Sequence, residues 1–149
     1  MAQSFSQILL HIVFSTKERH DLITLDLRPR LYDYMGGIIR QQQGVLYAIG
    51  GMPDHVHLLI RWRPDAALSD LMRRLKGASS HWVHETFPER ASFTWQAGYA
   101  AFSVSKSSEP AVKAYIENQE ERHRTRDFKE ELLALLRGRQ WWRGRKRGR

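Results

Sequence analysis

The order in which two hydrophobic periodicities succeed one another constrains this chain more than any single motif. Gln7-Ile8-Leu9-Leu10-His11-Ile12-Val13-Phe14 is a strand-length run rich in branched and aromatic residues. Leu27, Leu31, Tyr34, Met35 and Ile38 then recur at helical spacing, which predicts a helix over about residues 25–43. Val45 to Ile49 and His55 to Trp62 are two further strand-like runs. Gly50-Gly51-Met52-Pro53-Asp54 between them reads as a turn, so the two should form a hairpin. Leu68, Leu71, Met72, Leu75, Ser79, Trp82 and Val83 mark the apolar stripe of a second helix. Phe93 to Ser105 predicts a fourth strand region. A third helix over roughly 109–123 is opened by Ser107 or Ser108 with Pro110 in its first turn, and a short final helix covers about 127–136.

The order β-α-β-β-α-β predicts an α+β fold of the ferredoxin-like, split βαβ kind. In it an antiparallel sheet carries helices on one face, and the C-terminal helix bearing Tyr115 is added to it. The sheet's second face then needs a cover: that added helix, a partner subunit or nucleic acid. With 149 residues, one domain is expected, spanning 1–136. Residues 137–149 hold seven basic side chains and no acid, which leaves the first 136 residues at +1 of the net +8. This end is expected to be a disordered basic tail suited to polyanions, or simply a solvated terminus. The absence of cysteine excludes disulfides, thiolate metal sites and a cysteine nucleophile. No apolar stretch reaches transmembrane length, and residues 1–6 show no basic, cleavable signal pattern. A soluble cytoplasmic protein is the expectation, with no membrane contact.

Three groups of residues could carry chemistry. His55-Val56-His57 lies on a predicted strand, where alternate side chains share a face, so the two imidazoles sit about 6.6–7 Å apart at Cα and can converge on one ion. They could equally be ordinary histidines of a half-exposed strand. Tyr115 and Gln119 stand four apart on the third helix and therefore share a face. Tyr115 could be a nucleophile and Gln119 an oxygen ligand, or Tyr115 could be a packed aromatic. Arg61 beside Trp62, then Arg73, Arg74 and Lys76 on the second helix, and Arg122 and Arg124 after the third, could neutralise phosphates of nucleic acid or be solvated helix faces.

Together these features resemble the small single-tyrosine transposases of the His-hydrophobe-His class, including the relatives associated with repetitive extragenic palindromes. The resemblance runs from about Leu10 to about Leu136. It is carried by His11-Ile12-Val13-Phe14-Ser15-Thr16-Lys17, Gly36-Gly37-Ile38-Ile39-Arg40, Ala48-Ile49-Gly50-Gly51-Met52-Pro53-Asp54-His55-Val56-His57-Leu58-Leu59, Leu75-Lys76-Gly77, Trp95-Gln96-Ala97-Gly98-Tyr99, Phe102-Ser103-Val104 and Tyr115-Ile116-Glu117-Asn118-Gln119-Glu120. Similar chains usually end in a short acidic and aromatic segment, whereas this one ends in arginine, glycine and tryptophan.

The resemblance implies a DNA transposase that nicks and rejoins single-stranded DNA at insertion-sequence ends and recognises hairpins. It assigns His55, His57 and Gln119 as metal ligands and Tyr115 as the nucleophile that forms a 5′-phosphotyrosine. It also implies a homodimer, and a nucleoid-associated protein follows. Two imidazoles alone would admit zinc, copper or nickel; the resemblance implies Mg²⁺ or Mn²⁺. Three neutral ligands would leave the ion its full charge for the phosphate. Two other readings stand beside this one: a domesticated relative that processes chromosomal palindromes, and a non-catalytic single-stranded nucleic-acid-binding module.

Overall fold

Four strands form one antiparallel sheet in the computed structural model, which describes residues 4–119 and 128–137. They are β1 (Ile8–Ser15), β2 (Val45–Met52), β3 (His55–Trp62) and β4 (Ala100–Val104), ordered β2-β3-β1-β4 across the sheet. Helix α1 (Arg28–Gln41) joins β1 to β2, and α2 (Leu68–Thr86) joins β3 to β4. Each crossover leaves a gap that one antiparallel strand fills, which is the split βαβ arrangement expected from the sequence. Helices α3 (Glu109–Glu117) and α4 (Phe128–Leu136) follow β4. The expected tail beyond Arg137, together with Arg122 and Arg124, lies outside the described residues.

Strand alternation divides the core in two. Ile12 and Phe14 of β1 and Val56, Leu58 and Ile60 of β3 face α1 and α2, where Leu31, Met35, Ile39, Leu71, Met72 and Leu75 are buried against them. Val13 and Leu59 point the other way, against Val112, Tyr115 and Ile116 of α3 and Leu135 of α4. The sheet's second face is thus covered by α3 and α4. Each large apolar side chain sealed in this way contributes about 1.5–3 kcal/mol.

Two local expectations change. Gly50 and Gly51 do not form a turn. β2 runs through them to Met52, which pairs with His55, and only Pro53 and Asp54 make the loop. The glycines are required by close approach. A Cβ on Gly50 would stand 2.1 Å from the Ile116 carbonyl oxygen of α3, and one on Gly51 would stand 2.2 Å from the His55 carbonyl oxygen. Gly50→Ala should therefore push α3 away from the sheet and destabilise the protein by about 1–3 kcal/mol, the usual cost of overpacking. Urea denaturation checks this, and an unchanged midpoint would contradict it.

The second change concerns residues 93–99. The expected long fourth strand shrinks to Ala100–Val104, and Trp95 keeps only an isolated bridge to Thr16. Phe93 and Trp95 are instead buried in the α1/α2 core, Trp95 edge-on to Phe14 at 4.8 Å. Gly98 turns the chain at φ +86° before β4 begins.

Candidate metal centre

The alternation that sends Val56, Leu58 and Ile60 into the α1/α2 core puts His55 and His57 on the α3 face. His11 reaches the same face from β1, one register step away: it pairs with Leu59, and Val13 pairs with His57. Gly50 of β2 lies opposite His57, and its missing side chain lets the backbone of α3 approach the sheet beside that ring. Pro110 in the first turn of α3 starts a helix whose Val112, Tyr115 and Ile116 are all buried. Tyr115 meets His57 edge-on at 5.7 Å between ring centroids and His11 at 6.3 Å. Gln119 lies just past α3, which ends at Glu117 with Asn118 as its C-cap rather than continuing unbroken to about 123 as expected.

Four donor atoms from two elements, β3 and α4, and from the segment after α3 converge. His55 Nε2 is 3.2 Å from Gln119 Oε1 and 3.4 Å from Glu131 Oε1 of α4. His57 Nε2 is 3.0 Å from the same Glu131 oxygen. Gln119 Nε2 donates to Glu131 Oε2 at 3.2 Å and to the Tyr115 carbonyl at 3.4 Å. His55 Nδ1 donates to Asp54 Oδ1 at 2.7 Å, which turns its Nε2 toward the centre. His57 Nδ1 lies 2.8 Å from His11 Nε2. All of His11, His55, His57, Tyr115, Gln119 and Glu131 are at most 2% exposed.

The electrostatics follow from burial and pairing. Burial acts most strongly on His57 and lowers its pKa, with Glu131 opposing and His55 adding to the shift. Burial also lowers His11, well below the ordinary imidazole value, and His57 beside it adds to this. Burial pulls His55 down too, but hydrogen bonds and charge from Asp54 and Glu131 together outweigh it and raise the pKa. For Glu131, burial pushes upward, yet the hydrogen bonds and charges of His55 and His57 prevail and hold the carboxyl at about 2. Glu131 is therefore an anion at the centre of a buried cluster.

His55, His57 and Glu131 form a group that could hold a metal ion. Three of its contacts come close to ligand–ligand spacing, and the donor atoms of His55, His57 and Glu131 all lie within 4.8 Å of one another. An octahedral ion with bonds of about 2.1 Å has donor–donor edges of about 3 Å, and the contacts here run from 3.0 to 3.4 Å. Two imidazoles with amide and carboxylate oxygens make a mixed set, between the soft sites of zinc and the all-oxygen sites of magnesium. The all-neutral set expected from the sequence thus gains a carboxylate.

The sequence-expected residues fall into three places. Tyr115, His55, His57 and Gln119 come together within a single chain. Arg61 is exposed on β3, sharing the face of His57 at the strand's far end. Arg73 and Arg74 are exposed on α2, across the sheet from the centre, and line an open groove of about 520 Å³ with Gln42 and Asp70. Lys76 is engaged: its Nζ donates to the Gln96 and Gly98 carbonyls at 2.6 and 2.7 Å, clamping the segment before β4. Sequence reasoning gave no role to Glu131, Asp54 or His11. His11 had a signal, a lone histidine in an otherwise apolar strand, in phase with Val13. Glu131 had none, since nothing in its local pattern separates it from Glu130.

Among the described residues, no helix is long and apolar enough to cross a membrane. Residues 4–119 match the family model for IS200-like transposases. The ISDra2 transposase TnpA of Deinococcus radiodurans is 28% identical over 121 residues, spanning 78% of this chain and 86% of that protein. A crystal structure from Deinococcus radiodurans R1, assigned as a transposase, superposes with a TM-score of 0.63 at 29% identity, covering 80% of this chain and 98% of that one. The REP-associated tyrosine transposase bound to a REP hairpin shares the fold, with a TM-score of 0.57 at 15% identity over 78% of this chain and 68% of its own.

Proposed function

The chain belongs to the IS200-like transposase family, and from that premise we propose that it cuts and rejoins single-stranded DNA through a tyrosyl ester on Tyr115. A divalent ion, Mg²⁺ or Mn²⁺, is held beside that residue by His55, His57 and Gln119. One observation carries the reading: Tyr115 packs edge-on to His57, and Gln119, one turn further, touches His55.

In the proposed step Tyr115 gives up its phenol proton and attacks phosphorus. A bond forms from the phenol oxygen to the 5′ phosphate, the bond to the 3′ oxygen breaks, and the 3′ hydroxyl leaves with a proton. One phosphoester replaces another, so the energy is conserved and a free 3′ hydroxyl can reverse the step. A phenol, with pKa near 10, is also a better leaving group than an alkyl alcohol in that return. The bound ion would supply Lewis-acid polarisation of the scissile phosphate. The protein's own contribution is orientation. Asp54 fixes His55 through Nδ1, and His11 fixes His57 in the same way by accepting from its Nδ1–H.

His11→Ala should therefore weaken Mn²⁺ binding by about 10–100-fold without removing the site, the usual cost of losing such a supporting partner. Calorimetric titration reads this, and an unchanged affinity would remove His11 from the account.

Phosphate contacts are proposed at Arg61, Arg73, Arg74, Arg122 and Arg124, and Lys76 serves by holding the 96–98 segment in place. The tail adds affinity that does not read sequence. Truncation after Leu136 should lower the salt slope of single-stranded DNA binding by several units, at about 0.7 per phosphate contact. An unchanged slope would contradict this. Hairpin recognition, a homodimer and a place at the nucleoid complete the proposal. Light scattering reports the dimer, and a monomer at working concentration would correct it.

The test of the reading is incubation with end-labelled single-stranded DNA copied from the gene's flanks, with Mn²⁺ or Mg²⁺. A covalent protein–DNA adduct on a denaturing gel is expected. A shift on a native gel with no adduct would mark a non-catalytic binding module.

A further inference from the structure

The centre is closed. Every donor atom belongs to a residue at most 2% exposed, so a phosphodiester cannot reach the histidines while α4 stays where it is. What lies over them is the Glu131 carboxylate. It shares one face of α4 with the buried Ala134 and Leu135, three and four residues on, while Lys129, Glu130, Leu133 and Leu136 are exposed. One oxygen touches both histidines, and the other accepts from Gln119.

We propose that Glu131 is an exchangeable fourth ligand, which pins α4 over the centre in the DNA-free protein and gives up its place to the scissile phosphodiester. This rests on the metal reading above. Three features carry it. The carboxylate oxygen lies at ligand–ligand spacing from both imidazoles. It sits on the docking face of a helix outside the βαββαβ unit, so it can leave without disturbing the strands. A phosphodiester is likewise an oxygen donor of single negative charge, so the exchange leaves the charge of the ligand set unchanged. No bond other than ligation forms or breaks. Loading with metal therefore closes α4, and DNA opens it.

The lack of native cysteine makes the test clean. Ala134→Cys places one thiol on the buried face of α4, and its rate of maleimide labelling reports α4 opening. Mn²⁺ should slow labelling, and single-stranded DNA from the gene's flanks, at a concentration that shifts the protein on a native gel, should restore it. In the Glu131→Gln background Mn²⁺ should no longer slow labelling, and its calorimetric affinity without DNA should fall by at least about tenfold, the loss seen even for a supporting partner of a ligand. Glu131→Asp keeps the charge but withdraws it by one methylene, and it should lose the protection as well. Equal Mn²⁺ affinity in wild type and Glu131→Gln would overturn the proposal, as would labelling indifferent to Mn²⁺ or to DNA. The underlying reading fails separately. A wild type that binds no Mn²⁺ sinks both, whereas binding that needs His55 and His57 but not Glu131 sinks only the exchange.

Discussion

The Tyr115→Phe variant is expected to fold, to bind single-stranded DNA and to form no covalent adduct. Only the phenol oxygen is removed. The ring keeps its edge-on contact with His57 at 5.7 Å and its place beside Val112 and Ile116. Losing one hydroxyl contact costs about 1 kcal/mol of stability, which a melting curve can bound. The chemical effect is of another order, because no other atom on α3 can form the ester. Four tyrosines remain, Tyr32, Tyr34, Tyr47 and Tyr99. An adduct that persists in Tyr115→Phe would have to sit on another residue, and the assignment would be wrong.

Replacing His55 and His57 together with alanine is expected to remove divalent-ion binding completely. Both rings are fully buried, and both meet Glu131. The double variant therefore leaves a buried carboxylate without the two imidazoles that meet it, and stranding a buried charge costs about 3–5 kcal/mol in comparable cases. Far-ultraviolet circular dichroism must accompany the titration for that reason. Gln119→Ala provides the milder comparison. It should fold and still bind Mn²⁺, with a smaller loss, since water can replace an amide oxygen. Full Mn²⁺ affinity in a folded double variant would place the ion elsewhere.

The parts of the site that follow from local periodicity could be read in the sequence. Alternation on a strand puts His55 and His57 on one face, and the four-residue spacing of Tyr115 and Gln119 keeps them neighbours even though α3 ends at Glu117. The order of strands and helices likewise fixes the split βαβ unit, because every element of it shows its own periodicity even where, as at β2 and β4, the boundaries shift. What could not be read depends on contacts distant in sequence. Glu131 meets His57 across 74 residues, and His11 meets it across 46. Gly50 and Gly51 carry turn chemistry in isolation, yet the reason for them is tertiary: the backbone of α3 and that of β3 come too close for a Cβ. Phe93 and Trp95 have strand composition, but they serve as core aromatics in a segment clamped by Lys76. Lys76 itself resembles any basic residue on a helix until its two carbonyl partners are known.

The central claim is that Tyr115 becomes esterified to a 5′ phosphate, and it can be tested on the wild-type protein alone. Single-stranded DNA from the gene's flanks is labelled in one sample at the 3′ end and in another at the 5′ end, incubated with protein and Mn²⁺, and the adduct is digested with trypsin. Cleavage after Lys113 and Arg122 yields residues 114–122, in which Tyr115 is the only tyrosine. Mass spectrometry should find the nucleotide mass on that peptide, and only the 3′ label should travel with the protein. A modified peptide carrying any other tyrosine, or an adduct that retains the 5′ label, would contradict the account.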